Sequence, residues 1–282
     1  MRVLVTGGAG QLAQAIRLIW AEHELVIPDE SVLDLSRRES IQRVVVEVRP
    51  EVLINCAAFT QVDRCESEAD LAQLINATAV GWLAEACEAV DARLVQVSTD
   101  YVFDGTGTRP YREDDPTNPV SVYGRTKLEG ERQAARCPKH LIARTSWLYD
   151  AWGKNFLNTM LNAAAQGRAL RVVDDQRGAP TTCRALAGQL KMAVAEAWQG
   201  LVHATCQGET TWHGFAQAIF EAKGLNVDLS PCGTADYPTP ATRPAYSVLD
   251  GGRRKVLGTD RMPPWQEALA QVVTQPDLLK EA

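Results

Sequence analysis

Arg2-Val3-Leu4-Val5-Thr6-Gly7-Gly8-Ala9-Gly10-Gln11-Leu12-Ala13 opens the chain as a β-branched apolar run that breaks at glycines and resumes at helical spacing. A strand that turns through glycines into a helix N-terminus lets backbone N–H groups approach a pyrophosphate, whose charge the helix dipole favours. The spacing is G-x-x-G-x-x-A, and Ala13 stands where the G-x-G-x-x-G fingerprint has its third glycine. Alanine still permits close packing of helix on strand. The turn therefore predicts a dinucleotide site at Gly7, Gly10, Gln11 and Leu12, set in a parallel α/β sheet.

The rest of the chain agrees with that sheet. Apolar runs at Leu25–Ile27, Val52–Asn55, Leu94–Ser98, Leu141–Arg144 and Arg171–Val173 read as further strands. Helix-period segments lie between them, at 11–21, 40–48, 67–90, 122–135 and 155–166. Strands alternating with helices predict βαβ units, here a Rossmann-type doubly wound parallel sheet covered on both faces. After residue 145 the alternation loosens, and the three prolines of Tyr237-Pro238-Thr239-Pro240-Ala241-Thr242-Arg243-Pro244 exclude regular structure there. The expected organisation is a dinucleotide-binding domain over 1–150. A smaller C-terminal substrate-binding lobe follows over 151–282, interleaved with the last strands of the first domain.

Composition narrows the function classes. A length of 282 residues and 45% hydrophobic content suit one large α/β unit with an appendage. The net charge of −6, with both signs interspersed, gives no basic stripe for a phosphate backbone, so no nucleic-acid partner is expected. No apolar run approaches the roughly 20 residues of a membrane span, and Met1-Arg2 passes straight into a strand without a signal-peptide pattern. A cytoplasmic protein without a membrane partner is the expectation. Seven cysteines, odd in number and without a C-x-x-C pair, and four histidines without ligand spacing predict neither disulfides nor a metal site.

The chemistry is carried by Thr99, Tyr123 and Lys127. Tyr123 and Lys127 stand at i and i+4, on one helix face, where the lysine charge favours the phenolate and tunes a proton donor. Thr99 ends a strand reading Ser98-Thr99-Asp100, so its hydroxyl can hold a carbonyl oxygen for hydride attack. Asp100 can accept from a sugar hydroxyl. At another strand exit, Asn55-Cys56-Ala57-Ala58-Phe59-Thr60 offers small residues against which a ligand can lie. Asp34 and Leu35 are candidates to meet an adenine. Pro28-Asp29-Glu30 after the second strand suits the free 2′-hydroxyl of NADH, whereas Arg37 and Arg38 suit the 2′-phosphate of NADPH.

These motifs resemble the extended short-chain dehydrogenase/reductases, specifically their branch acting on the 4-keto group of dTDP-linked deoxysugars. The segments that carry the resemblance are Gly7–Ala13, Asn55–Glu68, Val97–Gly105, Tyr123–Glu131, Arg144–Tyr149, Asp175–Thr181 and Arg243–Asp250. The resemblance implies a Thr99-Tyr123-Lys127 triad, NADPH as cofactor with NADH also usable, and Val97, Ala57, Ala58, Phe59 and Thr60 beside the dinucleotide. Tyr123 and Lys127 would also line the cofactor site. It implies reduction of dTDP-4-dehydro-β-L-rhamnose, with Asp100, Trp147 and Asn155 on the sugar. Some members dimerise around magnesium held by carboxylates, but Ala15 and Arg184 occupy the matching positions here, which implies a monomer or a metal-independent dimer. Two other readings stay open at this point. One is a 4-ketoreductase of opposite stereochemistry or of another nucleotide-linked deoxysugar. The other is a non-catalytic regulatory subunit of the same fold, against which the intact triad argues.

Overall fold

The glycine turn follows the first strand, one strand in from the edge of a six-stranded parallel sheet in the computed structural model, which describes residues 1–258 and 260–274. The strands are β1 (Arg2–Thr6), β2 (Glu24–Val26), β3 (Val52–Asn55), β4 (Arg93–Thr99), β5 (His140–Thr145) and β6 (Gly200–His203). Their order is β6-β5-β4-β3-β1-β2, every neighbouring pair parallel. Residues Val52–Asn55 are buried throughout, as expected of strands covered on both faces. The chain leaves β1 for β2 on one side and returns to β3 on the other. Strand order thus reverses between β1 and β3, and their C-terminal ends frame the crevice in which such sheets bind ligands.

Helices cover both faces. On one face α1 (Gln11–Ile19) packs beside a helix at Cys183–Ala195, with Ile16, Trp20, Leu186 and Leu190 in a common core. The buried Trp20 indole donates to the Ala187 carbonyl at 2.9 Å, so its polar atom is satisfied. On the other face α2 (Arg38–Val48), α3 (Ala79–Ala89) and α4 (Val122–Ala134) enclose Ile41, Val45, Leu83 and Ala134. Burying each large aliphatic side chain here contributes roughly 1.5–3 kcal/mol. A further core joins Tyr149, Leu157, Phe215, Ile219, Trp265 and Leu269 in the C-terminal part.

Three elements differ from the sequence reading. The helix expected over 67–90 is broken into Val62–Ser67, Ala69–Gln73, a π-helical turn at Leu74–Thr78, and α3. The buried amide of Asn76 lies in that turn: its Oδ1 accepts from the Phe59 N–H at 2.8 Å, and its Nδ2 donates to the Phe59 carbonyl and the Thr126 hydroxyl, both at 3.1 Å. The strand read at Arg171–Val173 exists as Leu170–Val173, but it pairs with Leu229–Cys232 outside the main sheet. Conversely, β6 is absent from the sequence reading, its Gly200-Leu201-Val202-His203 holding only two apolar residues, yet it lies beside β5 with Leu201 opposite Ile142. Among the described residues no helix is long and apolar enough to cross a membrane.

Candidate active site

At the β1–β3 crevice the two strand exits touch. Gly7 has φ +71°, and a Cβ there would stand 2.9 Å from the Ala57 nitrogen, so both conformation and space require glycine. The turn is closed by the Gly10 N–H donating to the Gly7 carbonyl at 2.8 Å. Gly10 caps α1 without any side-chain hydrogen bond, which leaves the first-turn N–H groups of Gln11 and Leu12 outside the helix ladder. Bare N–H groups at the positive end of a helix dipole fit a pyrophosphate. The Ala57 N–H meets the Thr6 hydroxyl at 3.2 Å, holding the Ala57-Ala58-Phe59-Thr60 exit beside the turn.

Asp34 and Leu35, the candidates for an adenine, follow the loop after β2. The Asp34 carboxylate turns back to accept from the Ser36 N–H at 2.8 Å and hydroxyl at 2.7 Å, and these bonds lower its pKa. Leu35 is buried in the core that includes Ile41 of α2. The segment that does abut the turn is Ile27-Pro28, since a Cβ on Gly8 would lie 3.0 Å from Ile27 Cγ2 and 3.1 Å from the Pro28 carbonyl. Asp29 follows directly, its Oδ1 engaged by the Ser31 hydroxyl at 2.5 Å and the N–H groups of Ser31 and Val32.

Two strands away, β4 delivers Thr99 to the same end of the sheet. Ser121 caps α4 by accepting from the Gly124 N–H at 3.1 Å, and Gly124 lets the first turn press on Tyr101, whose carbonyl would be 2.2 Å from an added Cβ. Tyr123 is thereby brought edge-on to Tyr101, ring centroids 5.6 Å apart, with its hydroxyl on the side of Thr99. Burial raises the Tyr123 pKa above its ordinary value, and the neighbouring Thr99 hydroxyl opposes that rise only partly. This corrects one expectation. Lys127 is not what sets the phenol's acidity in this ligand-free state, because its Nζ donates to the Val97 carbonyl at 2.7 Å. Burial pulls Lys127 down to about 8, against the opposing charge of Glu131.

Glu131, unassigned in the sequence reading, is the next i+4 position on the face of Tyr123 and Lys127. It takes a bidentate pair from Arg144 at 2.8 Å on both oxygens and a bond from the Ser98 hydroxyl at 2.5 Å. The i, i+4, i+8 spacing of Tyr, Lys and Glu was the signal that could have found it. Asp100 is buried beside Thr99, whose hydroxyl donates to Oδ1 at 2.9 Å. Its Oδ2, near Ser247, lacks a hydrogen bond of good geometry among the described residues. Burial raises this carboxyl to about 6, with the Ser247 and Thr99 bonds pulling the other way.

Trp147 follows β5 in a left-handed conformation, φ +48°, that costs a non-glycine residue roughly 1–3 kcal/mol. It is held there by stacking on Trp212, ring centroids 3.5 Å apart, and by Gly178, where a Cβ would lie 2.4 Å from Trp147 Cε2. Neither clamp was visible in the sequence, because both come from distant turns. Asn155, the other sugar-contact candidate, is engaged within the protein. Its Oδ1 caps a helix at Phe156–Ala165, and its Nδ2 donates to the Asp150 carbonyl at 2.8 Å, the Trp152 carbonyl at 3.0 Å and Gln11 Oε1 at 3.2 Å. Its amide is spent on joining the lobe to α1. Arg184 pairs with Asp150 at 2.9 Å and Ala15 is fully buried, and no cluster of three or more metal-ligating side chains occurs among the described residues.

A doubly wound sheet with a bare glycine turn and a Thr-Tyr-Lys constellation at the same strand ends defines an extended short-chain dehydrogenase/reductase architecture. The chain belongs to the family described as the RmlD substrate binding domain, whose model matches residues 1–277. It is 41% identical to a dTDP-4-dehydrorhamnose reductase of Burkholderia thailandensis, over all of both chains. A solved dTDP-4-dehydrorhamnose reductase of Clostridium acetobutylicum superposes with a TM-score of 0.94 at 41% identity, covering 99% of this chain and 100% of that one. Another, from Bacillus anthracis and in complex with NADP, has a TM-score of 0.94 at 35% identity, covering 97% of this chain and 99% of its own.

Proposed function

We propose that this protein reduces the C4 carbonyl of dTDP-4-dehydro-β-L-rhamnose to the alcohol of dTDP-β-L-rhamnose, a step of dTDP-rhamnose biosynthesis, using NADPH. The observation that carries this reading is that Tyr123 and Lys127 share a face of α4 packed against the end of β4, where Thr99 stands beside the Tyr123 hydroxyl. NADPH, held at the Gly7–Leu12 turn and against Ala57 to Thr60, Val97, Tyr123 and Lys127, supplies the hydride for C4. Thr99 orients the carbonyl oxygen by donating to it. Tyr123 gives its proton to the same oxygen, and the raised pKa keeps that proton in place until negative charge develops. Lys127 holds the nicotinamide ribose and supplies a positive charge in a dry site. Asp100 accepts from a sugar hydroxyl, and the clamped Trp147 ring forms a wall of the sugar pocket. Residues 1–150 serve the dinucleotide and 151–282 mainly the sugar, with β6 the exception. The protein works in the cytoplasm.

Incubation with dTDP-4-dehydrorhamnose and NADPH, followed by NMR of the product, tests the reading. Formation of the rhamnose epimer supports it, the C4-epimeric alcohol would move the assignment to a ketoreductase of opposite stereochemistry, and no turnover would favour the regulatory subunit. NADPH is expected to be preferred modestly over NADH in steady-state kinetics, because Asp29 is drawn into its own turn and repels a 2′-phosphate less. A strong NADH preference would contradict that. With Arg184 and Ala15 where carboxylates would be needed, sedimentation should be the same with and without EDTA, as a monomer or a metal-independent dimer.

The pH profile follows from two buried groups. Asp100 is the stronger acceptor for a sugar hydroxyl when ionised, so kcat/KM should fall as pH drops through about 6. Lys127 carries its charge only while protonated, so kcat/KM should fall as pH rises through about 8. Asp100→Asn is expected to abolish the acid limb and keep the alkaline one. An unchanged acid limb would reassign it.

A further inference from the structure

A line of buried side chains runs beneath the crevice from the glycine turn to Lys127. The Ala57 N–H donates to Thr6 Oγ1 at 3.2 Å, and the Thr6 hydroxyl donates to Asn55 Oδ1 at 2.5 Å. Asn55 Nδ2 donates to Gln96 Oε1 at 2.8 Å, and Gln96 Nε2 donates to the Val97 carbonyl, again at 2.8 Å. Val97 is the carbonyl that also receives Lys127 Nζ. Thr6, Asn55 and Gln96 are each no more than 1% exposed, so none of these polar atoms turns to water instead. The sheet explains the gap that the line fills. The pairing of β3 with β4 stops at Asn55 opposite Gln96, so Val97 is the first residue of β4 with no partner on β3. Its carbonyl is used by two side chains in place of a strand.

We propose that Gln96, held by Asn55 and Thr6, is a positioning residue that fixes the Val97 carbonyl and through it the place of the Lys127 ammonium beside the cofactor crevice. The proposal rests on the catalytic reading of Lys127. A buried amide with partners at both ends has one orientation, whereas a strand carbonyl without a ladder can tilt. Tilting would carry with it an ammonium that must meet a ribose at a set distance. Because the line starts at Thr6 and Ala57, the lysine is referenced to the floor of the same turn that holds the dinucleotide. The catalytic cation and the cofactor cradle are thus parts of one hydrogen-bonded unit.

The test is a double-mutant cycle between Gln96→Met and Lys127→Met, read by kcat, by NADP+ affinity from titration calorimetry, and by thermal stability. If Gln96 acts through Lys127, Gln96→Met should lower kcat and weaken NADP+ binding, together on the order of tenfold. It should then lower neither any further in the Lys127→Met background. Should Gln96→Met fail to fold, Asn55→Leu/Gln96→Met removes both amides together, which avoids leaving one buried and unpaired. The same cycle then applies. Losses of equal factor in both backgrounds, or no loss in the wild-type background, would overturn the positioning role. If Lys127→Met alone left kcat and NADP+ affinity intact, the lysine assignment itself would fall, and that pattern is distinct from the other two.

Discussion

Tyr123→Phe is expected to lower kcat by something on the order of 10²–10⁴-fold, the usual contribution of a positioned general acid. The substitution removes one oxygen and leaves the ring, which packs edge-on to Tyr101 and needs no hydroxyl to do so. The hydrogen bonds of Thr99, with Asp100 as acceptor and the Tyr101 N–H as donor, do not involve that oxygen, so the strand end should stay in place. NADP+ affinity should therefore change little, because Lys127 and the glycine turn are untouched. Steady-state kinetics with dTDP-4-dehydrorhamnose, alongside calorimetric titration of NADP+, checks both halves of the expectation. Near wild-type turnover in a folded Tyr123→Phe protein would remove the phenol from the mechanism. Loss of NADP+ binding in parallel with kcat would show a disturbed site and not a missing acid.

What the sequence made legible was local. The β1–α1 turn could be read because Gly7 and Gly10 meet needs set within a few residues, and Tyr123 with Lys127 because helix periodicity alone puts them on one face. What stayed hidden depends on pairing across the fold. The tie of the Asn155 amide to Gln11 is of this kind, since it joins segments far apart in the chain. The β6 strand has only Leu201 and Val202 as an apolar run, and pairing beside β5 makes it a strand. Trp147 was singled out, whereas its partner Trp212 was not, since stacking between segments this far apart leaves no periodic trace. The pKa of Tyr123 went against expectation for a related reason. Spacing shows that a cation is near, but not that burial outweighs it or that the ammonium is bonded elsewhere.

Glu131→Ala is expected to destabilise the fold by about 3–5 kcal/mol, because it leaves a buried guanidinium without its anion. Arg144 and Glu131 have side chains only 5% and 6% exposed. Arg144 sits over the Phe103 ring at 5.1 Å, and its Nη1 is 3.5 Å from a fully buried His203 ring that burial drives down to about 3. A neutral imidazole cannot replace a carboxylate as counter-charge, so the cost falls on the fold. Ser98 would lose its acceptor as well. Urea unfolding monitored by tryptophan fluorescence measures the loss, and a shift under 1 kcal/mol would mean that water or a rearranged side chain reaches Arg144. The paired variant Glu131→Leu/Arg144→Met separates charge from packing: removing both ions from a dry site should recover most of the stability, as replacing a buried pair by apolar groups often does. Catalysis should not recover with it. Glu131 is also the anion that favours the charged form of Lys127, so in the stable double variant the alkaline limb of kcat/KM should move below its wild-type position near 8. A double variant as stable as wild type, with that limb unmoved, would confine Glu131 to the fold and leave Lys127 to be tuned by burial alone.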